Sequence, residues 1–204
     1  MNEMQLREFI LEQHARLHSA SVAGGQPSYQ DRMLKDVTPE LFRTQPDGGF
    51  CSLNWLLWHM TRIEDAAVSI ILAREDQVLE TERWQDRLGP IPTSLGTAMS
   101  ETDASGLAAN VDMDGLIGYR AAVGANTQRI VRALNMAALA DVVSTEDIAH
   151  LSSQNALQGG SEVIGGRWLG LKKSYMLQHS VLAHSAMHFG QSEDTRMLLG
   201  LTTV

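Results

Sequence analysis

"VLAHSAMHFGQ", residues 181–191, places two histidines four apart in a run that otherwise reads as a buried helix. Steps of four and three along this segment give Leu177, Val181, His184, His188, Gln191 and Thr195. These positions form one seam, apolar at its start and polar in its middle. Side chains so spaced stand about 5–6 Å apart at Cβ, which lets two imidazoles share one ion. His179 falls away from the seam on this reading.

Working outward, four segments have helical periodicity and usable ends. The first runs from about Glu3 to Val22 and is stopped by Gly24, Gly25 and Pro27. The second opens at Ser52, a plausible N-cap, and reaches about Arg74. The third follows Asp112 or Asp114 and reaches about Asn135, and the fourth runs from Gly170 to Leu199 with Gly200 placed as the C′ residue. The connections are long. Residues 25–51 hold a short helix start at Thr38-Pro39. Residues 75–111 hold a short helix near Trp84 and then a Gly/Ser/Thr-rich loop. Residues 136–170 hold a capped start at Ser144 and then "QGGSEVIGGRW", either a lid or a plain connector. The fold this predicts is all-α, a single four-helix-bundle domain over residues 1–204 with long crossover connections and short extra helices.

Composition agrees. Of 204 residues 44% are hydrophobic and 5% aromatic, and Pro occurs 5 times. The formal charge of −8, without a basic run, argues against a nucleic-acid groove or an anionic membrane surface. No apolar run suits a membrane span, and the first residues lack the order of a signal peptide, so the expected location is cytoplasmic. Cys51 is the single cysteine.

Position on the helices sorts the histidines. On the second helix the stepping through Ser52, Leu56, His59, Ile63, Ala66 and Ile70 puts His59 in an apolar seam. On the first, a stripe through Leu6, Ile10, Gln13, Leu17 and Ala20 leaves His14 and His18 on the flank, as surface residues that bind no metal. Three buried imidazoles need partners, and a divalent metal satisfies three ring nitrogens at once. Three neutral ligands leave a coordination position open, as in catalytic zinc sites. The nitrogen set suits Zn or Ni first, with Fe and Cu behind them, and disfavours Mg and Ca. "HSAMH" lacks the glutamate of a zinc protease motif.

The remaining polar residues carry weaker expectations. Gln191 either orients a bound water or substrate, a catalytic role, or fills the seam with a hydrogen bond. Arg62 reads as an exposed helix arginine, the alternative being a substrate carboxylate. Glu64 and Asp65 read as solvated or paired, the alternative being support of the ligands. Tyr119 and Asn126 fall on the inner stripe of the third helix, and Cys51 reads as an inert thiol.

"WLLWHMTRIED" followed by "HSAMHFGQSEDTRMLLG" resembles the DinB/YfiT-like family, which includes metal-dependent enzymes and thiol-dependent transferases and isomerases. The resemblance carries His59, His184 and His188 onto that family's metal triad, and Gly190, Gln191 and Arg196 onto its "H-x-G-Q…R" ending. It implies a four-helix bundle, commonly a homodimer, with a thiol-dependent transferase or isomerase activity on a small molecule. The partner so implied is a low-molecular-weight thiol. A metal-dependent hydrolase and a non-catalytic, metal-binding stress-response bundle stay open as alternatives.

Overall fold

The computed structural model describes residues 2–48 and 51–202. Helix α1 (Glu3–Arg16) starts from a capping box between Asn2 and Gln5. It stops at Arg16, earlier than its periodicity suggests, and turns carry the chain through Gly24 and Gly25, both at positive φ. Short helices α2 (Tyr29–Leu34) and α3 (Pro39–Arg43) follow, α3 with Thr38 as its cap and Pro39 in its first turn. Helix α4 (Leu53–Asp65) continues without a break as a π-helical stretch, Ala66–Ala73, and ends at Arg74 in the left-handed region. Ser52 stands at the N-cap position, but its hydroxyl bonds Asn54 rather than a backbone N–H.

The first crossover contains α5 (Val78–Thr81), α6 (Gln85–Leu88) and α7 (Glu101–Asn110), the last inside the segment expected to be a loop. Helix α8 (Met113–Ala133) is capped by Asp112. A 3₁₀ turn (Met136–Ala140), α9 (Thr145–Ser153) and α10 (Glu162–Trp168) fill the second crossover. The glycine-rich "EVIGGRW" is thus helical, and it buries Ile164 and Trp168 in the core rather than forming a lid. Finally α11 (Lys173–Tyr175) runs through a π-helical stretch, Met176–Ala183, into α12 (His184–Leu198), with Gly200 at positive φ just past its end. Among the described residues the sole β-type pairing is an isolated bridge between Val142 and Lys172.

Helix α4 and its π continuation form the axis of the bundle. From Ser52 to Leu72 every side chain but that of Trp55 is buried. Helix α8 packs along one side, the π stretch and α12 along another, and α1 closes over α8. The apolar core is divided in two. One cluster surrounds Leu53–Met60 with Phe42, Leu116, Val123 and Phe189, and the other surrounds Ile63–Leu72 with Ile130, Trp168 and Val181.

Between the two clusters lies a belt of buried polar side chains, and each must find partners inside the protein. Arg62 donates from Nη1 to the Tyr119 hydroxyl at 2.9 Å and from Nη2 to the Thr93 carbonyl at 2.5 Å. Asp65 accepts from Tyr119 Oη at 2.6 Å, from Ser69 Oγ at 2.9 Å, and from the backbone N–H groups of Val78 and Leu79 at 2.9 and 3.0 Å. It therefore anchors α5, and with it the first crossover, to the axis.

Asp65→Ala should lower stability by about 3–5 kcal/mol, because it leaves the buried Arg62 charge without its acid and strips α5 of two hydrogen bonds. Tyr119→Phe removes one hydroxyl and should cost about 1–2 kcal/mol. Urea unfolding of the two variants checks both values. Equal costs would show that Asp65 does not neutralise Arg62.

Candidate metal centre

The seam on α12 meets the seam on α4 at three imidazoles. His184 Nε2 lies 3.2 Å from His59 Nε2 and 3.1 Å from His188 Nε2. The three rings are nearly buried, at 5, 7 and 7% exposure for His59, His184 and His188. The far nitrogens fix the tautomers of two of them. His59 Nδ1–H donates to the Leu95 carbonyl at 2.5 Å, and His188 Nδ1–H donates to Gln191 Oε1 at 2.6 Å. Their Nε2 lone pairs therefore face inward. Trp55, one turn before His59 on α4, stacks on the His59 ring with centroids 4.7 Å apart and meets His188 edge-on at 6.2 Å.

Lone pairs aimed at one another repel, and a cation between them reverses the sign. Ligand atoms about 2.0–2.1 Å from one ion in a tetrahedron stand about 3.3 Å apart, close to the spacing seen here. Burial, with His59 and His188 adding to it, pushes the His184 pKa down to about 2. Burial and then His188 push His59 down to about 4, and burial lowers His188. All three are neutral at pH 7, the form that binds metal. The residues present fit a divalent ion. His59, His184 and His188 would hold it, with Leu95 and Gln191 behind them.

The other sequence expectations divide. Gln191 lies behind His188 and positions that ring. Tyr119 is buried, and Asn126 bonds Ser69 away from the triad. Burial pushes the Cys51 thiol up to about 11, in keeping with an inert group. His179 does not point away: it stacks on Tyr175, and its ring centre is 5.8 Å from that of His184. Arg62 is fully buried rather than exposed, and its donors are spent within the polar belt. Glu64 and Asp65 are equally buried, and both are paired.

The largest correction concerns His14 and His18, which are 1% and 0% exposed. The inward stripe of α1 steps from Ile10 by four to His14, not by three to Gln13. Because the helix ends at Arg16, the following turn then swings Leu17 and His18 inward. Both imidazoles bond Glu64.

Comparison with known proteins fits this picture. The family model described as the DinB superfamily matches residues 26–192. The chain belongs to the DinB superfamily. A crystal structure of a conserved protein from Enterococcus faecalis superposes with a TM-score of 0.63 at 20% identity, covering 98% of this chain and 99% of its own. At that identity the likeness speaks for the fold alone. No curated protein matches the sequence.

Two outcomes follow from the geometry. Gln191→Ala frees the His188 ring and should weaken metal binding about 10–100-fold by competition with a chelator. In metal-free protein, stability should fall as the pH drops below about 6.5, the unfolded-state value for histidine. The folded pKa values of His59, His184 and His18 lie near 4, 2 and 3, so between pH 6.5 and 4 the unfolded chain binds protons that the folded chain refuses. Urea midpoints measured across that range test this. A flat profile would mean that the three rings are not buried in the neutral form.

Proposed function

We propose that this DinB-superfamily protein is a metal-dependent enzyme whose three-histidine site serves a thiol-dependent transfer or isomerisation on a small molecule. The observation that supports an enzyme over a structural ion is the incomplete ligand set. Among the described residues no carboxylate, thiolate or fourth imidazole joins His59, His184 and His188. Three protein ligands with one position free is the pattern of catalytic sites, whereas structural zinc sites are closed. Zinc or nickel suits the all-nitrogen set best.

Held there, a divalent ion would supply Lewis acidity and lower the pKa of a thiol or water taking its free position. The chain's own residues do the rest. Leu95 and Gln191 keep the ring nitrogens aimed, and burial keeps the rings neutral. Trp55, half-buried and stacked on His59, forms an apolar wall at the site. Such a wall excludes water and gives a planar or apolar part of a substrate something to pack on. Arg62 cannot receive a substrate carboxylate, because its donors are committed inside the bundle. Burial holds the Cys51 thiol above its ordinary pKa, which favours a small-molecule thiol as the source.

Cobalt-substituted protein should develop a sulfur-to-cobalt charge-transfer band on titration with low-molecular-weight thiols. Cys51→Ala should leave that band intact. His188→Ala should abolish it together with metal binding at the triad while the far-UV dichroism stays helical, and it should lower the unfolding temperature, since a ligand of the native state stabilises by mass action. A cobalt spectrum indifferent to every thiol, with hydrolysis of activated esters rising near pH 7, would replace the transferase reading with the hydrolase.

A further inference from the structure

The N-terminal helix is attached to the bundle in a way that the triad does not explain. Within α1, 14 residues long, only Ile10 and His14 are buried. A free helix of that length is marginal in water. Its deepest tie to α4 and α8 is polar. His14 Nε2 lies 2.8 Å from Glu64 Oε1, and His18 Nε2 lies 3.1 Å from Oε1 and 2.9 Å from Oε2. The Thr127 hydroxyl reaches Oε1 at 2.7 Å. His14, His18, Glu64 and Thr127 are all buried. Helix α8 is notched to admit them: a Cβ on Gly124 would run into the His18 imidazole.

This group has the donor set of a two-histidine, one-carboxylate metal site. The ligand atoms lie within 4.8 Å of one another. Atoms about 2.0–2.2 Å from a shared ion stand about 2.8–3.6 Å apart, which brackets the His–Glu spacings observed. The two carboxylate oxygens have different surroundings. Oε1 collects His14 and Thr127, His18 bridges both oxygens and lies nearer Oε2, and Oε2 also faces Arg120 Nη1 at 4.0 Å. Arg120 is itself fixed by the Leu17 carbonyl and Gln30. An ion between the two imidazoles and the carboxylate, with Arg120 on the far side of Oε2, reproduces the usual arrangement of a ligating carboxylate held from outside by a donor. Residues 14 and 18 precede the matched family segment, which starts at residue 26.

We propose that His14, His18 and Glu64 hold a second divalent transition-metal ion, which staples α1 to the bundle. Burial, not ligand count, makes this site structural. With its ligands at 1, 0 and 0% exposure it has no side open to a substrate, unlike the triad. Its nitrogen and oxygen donors suit zinc or cobalt rather than magnesium or calcium. The Arg120 charge opposes a cation across the carboxylate, so the second ion binds more weakly than the first.

Metal analysis tests this independently of any activity. Protein stripped with a chelator, reloaded with cobalt and freed of unbound metal should retain two ions per chain. His184→Ala with His188→Ala should retain one. His14→Gln with His18→Gln keeps amide donors toward Glu64 but removes the imidazole ligands, and it too should retain one. Each double variant should keep only part of the metal-dependent rise in unfolding temperature, the part supplied by the one ion it still holds. One ion in the unaltered protein and still one in the glutamine variant would overturn the proposal, even if the His184/His188 variant fails to fold, and would leave hydrogen bonds alone holding the cluster.

Discussion

Helix α4 has no solvent face, and the rest of the structure answers to that constraint. A helix buried all round is ordinarily apolar all round. This one carries Asn54, His59, Thr61, Arg62, Glu64, Asp65 and Ser69 into the interior. Leaving such groups unpaired costs far more than pairing them gains. Each neighbouring element is therefore held by the polar group it satisfies. Asp65 fixes α5, Arg62 fixes the chain at Thr93 and Ser94, Glu64 fixes α1 and α8, and His59 fixes Leu95.

The first crossover owes its position to this pairing more than to its own sequence. Of residues 93–95 only Leu95 enters the apolar core. They lie over α4 because Arg62 needs carbonyl oxygens and His59 needs an acceptor for Nδ1–H. Gly96 follows at φ 79°, a conformation glycine adopts without strain, and its missing side chain leaves room for the Trp58 ring. The same segment thus serves the fold and aims a candidate metal ligand.

What could be read from the sequence depended on whether a residue's role was local. The second, third and fourth long helices were legible because their end signals are local: Asp112, Arg74 and Gly200 lie within two residues of the expected ends, whereas the first stops at Arg16, well short of the expected Val22. The triad was legible because His184 and His188 share one helix face and His59 interrupts an apolar seam. Helices α7 and α10 were not, since their glycines and serines read as loop and their burial comes from distant partners. "TRIED", residues 61–65, misled for a related reason. Periodicity assumes that a helix has an outside, and charged residues on an all-buried helix look like that outside. The Leu95 carbonyl had no signal at all, because any residue supplies one. His14 and His18 failed on a single step of three taken in place of four, together with a helix that ends at Arg16.

The two histidine pairs show how the same spacing acquires different chemistry from what stands behind it. In both, an imidazole pair four residues apart points its Nε2 atoms at a third group from α4. In one case that group is Glu64, an anion. Burial works against its charged form, but the facing histidines and their hydrogen bonds hold its pKa well below the ordinary value. In the other it is His59, neutral, with its proton committed to Leu95. The first cluster already has a negative centre, and Arg120 stands beside it. The second has the inward lone pairs of His59 and His188, and a proton on His184 Nε2 can answer only one of them at a time. A cation from outside the chain would satisfy all three nitrogens at once. Because the third group there is an imidazole and not a carboxylate, that cation would keep its full positive charge. The Lewis acidity of a bound ion would therefore be greater at the triad than at the Glu64 cluster.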